Sequence, residues 1–165
     1  MTLFRTALFV TCLLISSIPA AYADGTSVAF GGIKADTTLP VEVTADSLTV
    51  NQADGNAVFS GNVLVTQGEM RMTAAEITVE YQEGGKGIKT LHATGKVLLV
   101  SAADAVEAEN AVYTIASGQV LLTGSVLLTQ GQATISGQEM LVDLKSGTGK
   151  MLGRVTTTFV PGKKG

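Results

Sequence analysis

The sequence has few of the residues on which most catalytic and metal sites depend. It contains no tryptophan, one cysteine, one histidine and three prolines among 165 residues. Zinc sites draw several ligands from cysteine and histidine, so the usual ligand sets are excluded. The single histidine, His92, lies on the polar side of a predicted strand and is expected to be exposed and neutral. The Gly-x-Ser-x-Gly elbow of hydrolases is also missing.

Two further patterns resemble catalytic motifs without meeting their requirements. Residues 147–150 read Gly-Thr-Gly-Lys, but Leu144 stands where a phosphate loop has its first glycine, and Met151 replaces the required hydroxyl. Four acidic residues could be considered as a glycosidase pair, yet their regular spacing favours a structural role at strand starts. They are Asp46, Glu76, Glu109 and Glu139. The sequence therefore predicts no catalytic residue, no metal and no cofactor, and indicates that the protein is not an enzyme.

The segment 1–23 has the pattern of an export signal. Arg5 precedes an apolar stretch over 7–18, and Ala21-Tyr22-Ala23 supplies a small-x-small cleavage site. A retained membrane anchor is the weaker alternative, because the apolar run is shorter than the ~20 residues that a span needs. The mature chain is thus predicted to begin at Asp24 in an exported compartment.

Removal of this signal would leave a chain without thiols and with mild acidity. Cys12 is lost, so no disulfide can form and the core alone must stabilise the fold. Loss of Arg5 reduces the 11 basic residues to 10 against 14 acidic ones, a net charge of −4. That balance, without a basic run, argues against nucleic acid as a partner.

From Val41 onward almost every segment has the composition of a β-strand. Valine and threonine dominate runs that are separated by turn pairs such as Gln67-Gly68 and Gln130-Gly131. Residues 102–109 alone have helical propensity, and their place between two strands favours a bend or bulge. We predict a flexible leader over 24–39, one all-β domain over 40–161 and a basic tail over 162–165.

The strand region repeats itself. The segment 45–81 aligns without a gap onto the segment 108–144. Inside this unit Gly-x-Val recurs at Gly61, Gly95, Gly124 and Gly153. A short period, on the order of 30 residues and filled with β-type runs, predicts stacked antiparallel units that share one continuous core.

Alternation within each strand predicts which side chains point inward, since successive residues face opposite sides of a sheet. One face of the chain is apolar along its whole length. The inward residues predicted in this way are Phe59, Val63, Val65, Met70, Met72, Ile77, Val79, Val97, Leu99, Tyr113, Ile115, Val126 and Leu128, together with Val41 and Val43 in the first strand. Such an interior is compatible both with tight packing and with a slot for flexible chains.

Several segments closely resemble the OstA-like family of lipopolysaccharide-transport proteins. They are residues 59–68 (FSGNVLVTQG), the Ala-acidic step at 75–76, the repeat at 122–126 (LTGSV) and the terminal stretch 154–161 (RVTTTFVP). The resemblance spans Pro40 to Pro161. One Gly-Asn-Val is a weak signal, whereas its recurrence with Gln-Gly, the acidic steps and the Val-Thr-Thr terminus is specific.

The resemblance implies an open-ended β-jelly roll with a hydrophobic interior, located in the periplasm. Family members bind the acyl chains of lipopolysaccharide, in its lipid A part, inside that interior. They assemble head to tail and connect inner- and outer-membrane complexes through LptC-like and LptD-like jelly-roll partners. Carried over by position, the interior-lining residues implied are Val41, Val43, Val97, Leu99, Val100, Tyr113 and Ile115.

The last strand is the predicted site of self-association. Val155, Thr157 and Phe159 lie in a terminal run without proline, so its backbone groups can pair with a neighbouring chain. Head-to-tail contacts of this kind propagate into filaments. The alternative to a lipid carrier is a structural or adhesive β-solenoid with a packed interior, and a sugar-processing enzyme is disfavoured by the missing catalytic groups.

Overall fold

The computed structural model describes residues 26–29, 33–51, 55–102 and 104–159. The predicted signal peptide and basic tail lie outside these ranges. The described residues form eleven strands: β1 Thr26–Ala29, β2 Glu42–Thr44, β3 Ser47–Val50, β4 Ala57–Gln67, β5 Met70–Tyr81, β6 Ile88–Ser101, β7 Asp104–Thr114, β8 Gln119–Gln130, β9 Ala133–Asp143, β10 Thr148–Leu152 and β11 Thr156–Phe159. A 3-10 turn at Glu83–Gly85 joins β5 to β6. Within these ranges no helix is both long and apolar enough to cross a membrane.

All eleven strands belong to one antiparallel sheet, which confirms the predicted all-β class. The order is β1-β10-β9-β8-β7-β6-β5-β4-β2, with β3 also paired to β4 and β11 also paired to β9. From β3 to β10 consecutive strands are therefore neighbours, and several are joined by the tight turns that the Gln-Gly and Ser-Gly pairs predicted. The two edges of the sheet are formed by β2 with β3 at one end, and by β1 with β11 at the other.

Each Gly-x-Val site is the place where a strand bends. Gly61-Asn62 in β4, Gly95-Lys96 in β6 and Gly124-Ser125 in β8 all have positive φ at both residues. The strand pairing shifts register at each of these sites. At Gly153 (φ 88°) the chain leaves β10, and it resumes as β11. Such bulges bend the chain and re-aim the side chains that follow.

Three of the four acidic residues lie beside these bends in the middle of a strand, which corrects the sequence prediction, whereas Asp46 lies directly before the start of β3. Glu76, Glu109 and Glu139 are in the middle of β5, β7 and β9. Asp46 lies between β2 and β3, where a Cβ on Gly61 would approach its Oδ2 to 2.6 Å. A Cβ on Gly124 would likewise approach Glu109 Oε2 to 2.7 Å. At these two bends the absent glycine side chain leaves room for a carboxylate, whereas at Gly95 and Gly153 the neighbours are Ala75 and Gln138, each next to an acidic residue in sequence.

The bends fold the sheet into two facing layers. The first layer contains the strand halves 63–67, 70–74, 97–101, 104–108, 126–130 and 133–137; the second contains 57–60, 76–81, 88–94, 110–114, 119–123 and 139–143. Tyr113 Oη of the second layer donates a 2.6 Å hydrogen bond to Gln67 Oε1 of the first, although β7 and β4 are three strands apart. Only layers that face one another allow this contact, because neighbouring strands are about 4.8 Å apart.

Side chains from both layers form a single continuous core. Its members run from Ala57 in β4 to Met151 in β10, and they alternate with exposed or half-buried residues along each strand. In the odd-numbered strands β5, β7 and β9 the alternation changes phase at the bend, for example between Ala74 and Ile77. The two layers therefore present their apolar faces to one interior.

Residues 33–39 also pack against the two layers, whereas the sequence placed them in a flexible leader. Ile33 and Ala35 are buried, with 0% and 6% of their surface exposed. Ala35 N donates to Leu144 O at 3.0 Å. Upstream of this segment, β1 pairs with β10 along Thr26–Ala29. We call residues 33–39 the strap.

Candidate functional site

The interior between the layers contains most of the residues that the sequence assigned to it. Fully or almost fully buried are Val63, Val65, Met70, Met72, Ile77, Val79, Val97, Leu99, Tyr113, Val126 and Leu128. Half-buried and packed against this core are Val41, Val43, Phe59 and Ile115. These side chains share one apolar space; their contact with lipid is a prediction.

Val100 is the exception, because it faces the outer surface of the sheet. Leu99 and Ser101 on either side of it are completely buried, whereas Val100 is half-buried. The pairing of β6 with β7 is regular from Val97 to Ser101, so strict alternation turns Val100 away from the interior. The resemblance treated the 97–100 segment as lining the interior; two consecutive residues of a regular strand cannot both do so.

Both edges of the sheet carry exposed apolar side chains on the interior face. At one end Leu48 and Val50 of β3 pair with Phe59 and Ala57, which places them on the interior face. They are nevertheless 55% and 58% exposed. At the other end Phe159 of β11 is 73% exposed, two residues beyond Thr157, which pairs with the buried Ile135. Each end of the core therefore presents an uncovered apolar face.

Four of the buried side chains between the layers are flexible methionines, in a core otherwise composed mainly of valine, leucine, isoleucine and alanine. Met70, Met72, Met140 and Met151 are all completely buried, and these are all the methionines apart from Met1. Tyr113 is the only aromatic side chain that is fully buried among the described residues. Unbranched methionine side chains adapt to irregular partners. The interior can therefore rearrange around a guest more easily than a core of branched or aromatic residues.

One side of the folded sheet, which we call the mouth, is lined by the turns of both layers. The first-layer turns follow Gln67, Ser101 and Gln130; the second-layer turns follow Thr114 and Asp143. Gln67 is 1% exposed, and its Nε2 donates to Thr37 O at 3.2 Å and to Leu39 O at 2.8 Å. Burial raises the pKa of Tyr113, partly offset by the hydrogen bond to Gln67. The phenol thus remains a neutral donor inside the apolar space.

Further polar side chains at the mouth are buried and paired. Ser101 Oγ donates to Lys34 O at 3.2 Å. Asp104, 3% exposed, accepts a 3.0 Å hydrogen bond from Gln130 Nε2. Sequence analysis assigned no site role to Ser101, Asp104, Gln130 or Gln67. The signal that could have found two of them is the Gln-Gly pair at 67 and 130, which was interpreted only as a turn.

A surface cavity of about 590 Å³ lies beside the strap. It is lined by Lys34, Ala35, Asp36, Thr37, Leu39, Gly68, Glu69 and Lys145. Asp36 Oδ1 accepts hydrogen bonds from the amide and hydroxyl of Thr38, which lower the pKa of its carboxyl. Cationic, anionic and apolar groups thus meet where the interior approaches water.

His92 lies on the outer face, as predicted, with 40% of its side chain exposed. Its Nε2 is 3.5 Å from Glu80 Oε1, and Thr90 Oγ1 donates to Glu80 Oε2 at 2.7 Å. This last hydrogen bond is the main cause that lowers the pKa of Glu80. Across the described ranges no three His, Cys, Asp or Glu residues are grouped so that they could hold a metal ion.

Comparison with known proteins gives a family-level match over most of the chain. The sequence model of the LptA/(LptD N-terminal domain) LPS transport proteins matches residues 42–148. The lipopolysaccharide export system protein LptA of Escherichia coli K12 is 30% identical over 162 residues, covering 90% of this chain and 80% of that protein. The export system protein LptH of Pseudomonas aeruginosa is 27% identical over 140 residues, covering 81% and 78%.

The fold matches a solved structure as well. The crystal structure of LptH, described as the LptA-homologous periplasmic component of the lipopolysaccharide transport device of P. aeruginosa, superposes with a TM-score of 0.67. The match covers 77% of this chain and 99% of that one, at 19% sequence identity. The predicted jelly-roll architecture is thereby confirmed.

Proposed function

We propose, from the premise that the chain belongs to the LptA/(LptD N-terminal domain) family of LPS transport proteins, that it carries lipopolysaccharide through the periplasm with the acyl chains between its two layers. The observation that carries this proposal is the continuous apolar interior, with exposed apolar side chains at both edges of the sheet. The family supports a transport role, and we infer that the protein has no catalytic activity.

Burial of acyl chains provides the driving force. Each methylene group removed from water contributes about 0.8 kcal/mol, so a twelve-carbon chain gains on the order of 9 kcal/mol before entropic costs. Several such chains on one lipid cannot cross water uncovered. The buried methionines and the half-buried Val41, Val43 and Phe59 near β2 offer an interior that can open around these chains.

The open ends support head-to-tail assembly of several copies. Leu48 and Val50 at one edge and Phe159 at the other are exposed on the same interior face, so stacking would cover both and continue the apolar space. We propose that β11 of one copy pairs with the β2–β3 edge of the next. LptC-like and LptD-like partners with the same jelly-roll edge could occupy the two ends of such a stack, because edge pairing uses backbone groups.

The test is lipid capture by a photo-crosslinking residue placed at Val43 or, as the outward control, at Glu42. Val43 pairs with the buried Val65 and is half-buried, whereas Glu42 is exposed on the opposite face of the same strand. We expect lipopolysaccharide to crosslink at Val43 and not at Glu42. Crosslinking at neither position, in a folded protein, would contradict the lipid slot and favour the packed structural solenoid.

A further inference from the structure

The strap lies across the mouth of the folded sheet and contacts turns of both layers. Its end at Leu39 contacts the first-layer turn at Gly68, where an added Cβ would lie 3.1 Å from Leu39 Cδ1. Its middle, Thr37, lies against the second-layer turn at Gly118 in the same manner, with Cγ2 at 3.1 Å. At its other end the Lys34 carbonyl reaches Ser101. The strap therefore separates the interior from water between the two rows of turns.

Most of the strap's polar attachment uses its backbone oxygens. Gln67 Nε2 donates to the carbonyls of Thr37 and Leu39, and Ser101 Oγ donates to that of Lys34. Only Ile33 and Ala35 place buried side chains beneath it. An attachment made of carbonyl acceptors and two small anchors can be replaced by another chain-like molecule that carries carbonyl groups next to apolar groups.

Acyl chains are joined to their headgroup by ester and amide linkages, whose carbonyl oxygens have the same chemistry. A lipid that inserts its acyl chains between the layers must leave its polar headgroup in water, and the mouth is where both conditions are met. Its linkages would then lie at the level of Gln67 and Ser101, two buried donors that would lose their partners if the strap left without replacement. Once the strap leaves, these donors need another acceptor, which the carbonyl oxygens of the bound lipid supply wherever the lipid excludes water.

We propose that the strap is a displaceable cover over the lipid slot, and that the side chains of Gln67 and Ser101 form a subsite for the ester or amide carbonyls of the lipid that replaces it. This inference rests on the proposed function. In the lipid-free protein the strap would occupy the position that the lipid linkages take in the complex. Gln67 and Ser101 would donate hydrogen bonds in both the lipid-free and the lipid-bound protein.

The hydrogen-exchange rate of the Ala35 amide reports whether the strap is in place, since this amide donates to Leu144 O. In the lipid-free protein we expect it to be protected. Addition of lipopolysaccharide without its O-polysaccharide should accelerate its exchange at least tenfold. If lipopolysaccharide crosslinks at Val43 while Ala35 stays protected, the displaceable cover is wrong and the carrier function stands; if no lipid crosslinks at all, the carrier function itself fails.

A second experiment identifies which lipid supplies the ester or amide linkage that binds at the subsite. The same exchange is measured with vesicles of phosphatidylglycerol, which also carries acyl esters. Acceleration by lipopolysaccharide alone assigns the subsite to that lipid, and acceleration by both assigns it to acyl linkages in general. Acceleration by neither, with lipid captured at Val43, overturns the proposal.

Two variants of neighbouring strap residues distinguish a strap that lipid displaces from a strap that only stabilises the fold. Ile33→Asn removes a buried anchor, whereas Lys34→Asn changes the residue beside it, whose side chain is exposed. We expect Ile33→Asn to speed lipid uptake about fivefold and Lys34→Asn to leave it nearly unchanged. Equal uptake rates for the two, with both proteins folded, would contradict the cover.

Ser101→Ala tests the subsite separately. If Ser101 binds the lipid linkage, loss of its hydroxyl should speed lipid release about fivefold as well as loosen the strap. Faster lipid uptake with an unchanged rate of lipid release would show that the hydroxyl binds only the strap. That result would contradict the proposed subsite.

Discussion

At the scale of single residues, the bends depend on glycines, because a neighbouring strand occupies the space that a side chain would need. A Cβ on Gly95 would lie 2.8 Å from the Ala75 Cβ, and one on Gly153 would lie 2.8 Å from the Gln138 Cβ. Both glycines also have positive φ. The same position therefore requires glycine for two independent reasons, conformation and close approach.

Gly124→Ala is expected to destabilise the protein by about 2–3 kcal/mol, because left-handed φ (82°) costs roughly 1–2 kcal/mol and the new methyl would meet Glu109 Cβ at 2.8 Å. Gly131→Ala is the matched control, since Gly131 has φ 57° but nothing within 4 Å of an added Cβ. Urea unfolding of both variants measures the difference. Equal losses would mean that the close approach to Glu109 contributes nothing.

Residue-level inference from the sequence succeeded where alternation was taken within short segments. Met70 and Met72, then Ile77 and Val79, were correctly predicted to face inward, although the phase of alternation changes between the two pairs at the bulge. It failed at Val100, where two apolar residues follow each other in a regular strand. The sequence did not predict the packing of the strap. Hydrogen bonds to its backbone carbonyls attach it, and every residue has such a carbonyl, so amino-acid composition does not reveal them.

At the scale of elements, short turns between long strands decide the register of the sheet. The β9–β10 turn is closed by Asp143, whose Oδ1 accepts hydrogen bonds from the amides of Ser146 (2.9 Å) and Lys145 (3.0 Å). The bond from Ser146 is the main cause that lowers the pKa of the Asp143 carboxyl. The charged form therefore stabilises the turn.

This lowered pKa predicts the sign of an acid effect. Since the pKa is lower in the folded than in the unfolded state, the stabilisation is present above the ordinary value near 4 and is lost as the pH falls through the folded value. The carboxylate is exposed, so screening limits the effect to roughly half a kcal/mol. Relative to Asp143→Asn, the natural protein should lose more stability between pH 7 and pH 2.5 in urea unfolding. An identical loss in both proteins would disagree with this assignment.

The end elements were predictable only in part. The sequence correctly indicated a terminal strand, and β11 (Thr156–Phe159) lies at the edge of the sheet, with Val155 just before it. It did not indicate that β1 pairs with β10, or that β3 exposes Leu48 and Val50 at the opposite edge. Long-range pairing of a short N-terminal segment leaves no local periodicity, so no pattern in the sequence could have predicted it.

At the scale of the whole molecule, the two edges are different surfaces, and association through them must be heterologous. Leu48→Asp should block one end and Phe159→Asp the other. Each residue is more than half exposed, so neither change should unfold the protein. We expect each variant alone to sediment as a monomer and their equimolar mixture to form dimers, because one intact edge of each remains.

Asn110→Asp is the control, as Asn110 is exposed in β7, the central strand of the order and away from both edges. It should associate like the natural protein. Dimers formed by Leu48→Asp alone would indicate a self-complementary contact and would argue against head-to-tail stacking.

The internal repeat also fixes how far the interior extends along the sheet for a given number of residues. The internal repeat, which aligns the segment 45–81 with 108–144, moves β4 onto β8 and β5 onto β9, a step of four strands in the sheet. With about 4.8 Å between strands, this repeat advances the interior by roughly 19 Å, or about 0.3 Å per residue, a tenth of what an extended strand spans. Addition of a whole hairpin would lengthen the sheet without disturbing the existing bends, whereas an insertion within a strand would move a bend glycine such as Gly124 away from the Glu109 side chain that occupies its open side. In the proposed head-to-tail assembly, each added copy would lengthen the apolar interior by a whole number of strand spacings without altering the cross-section.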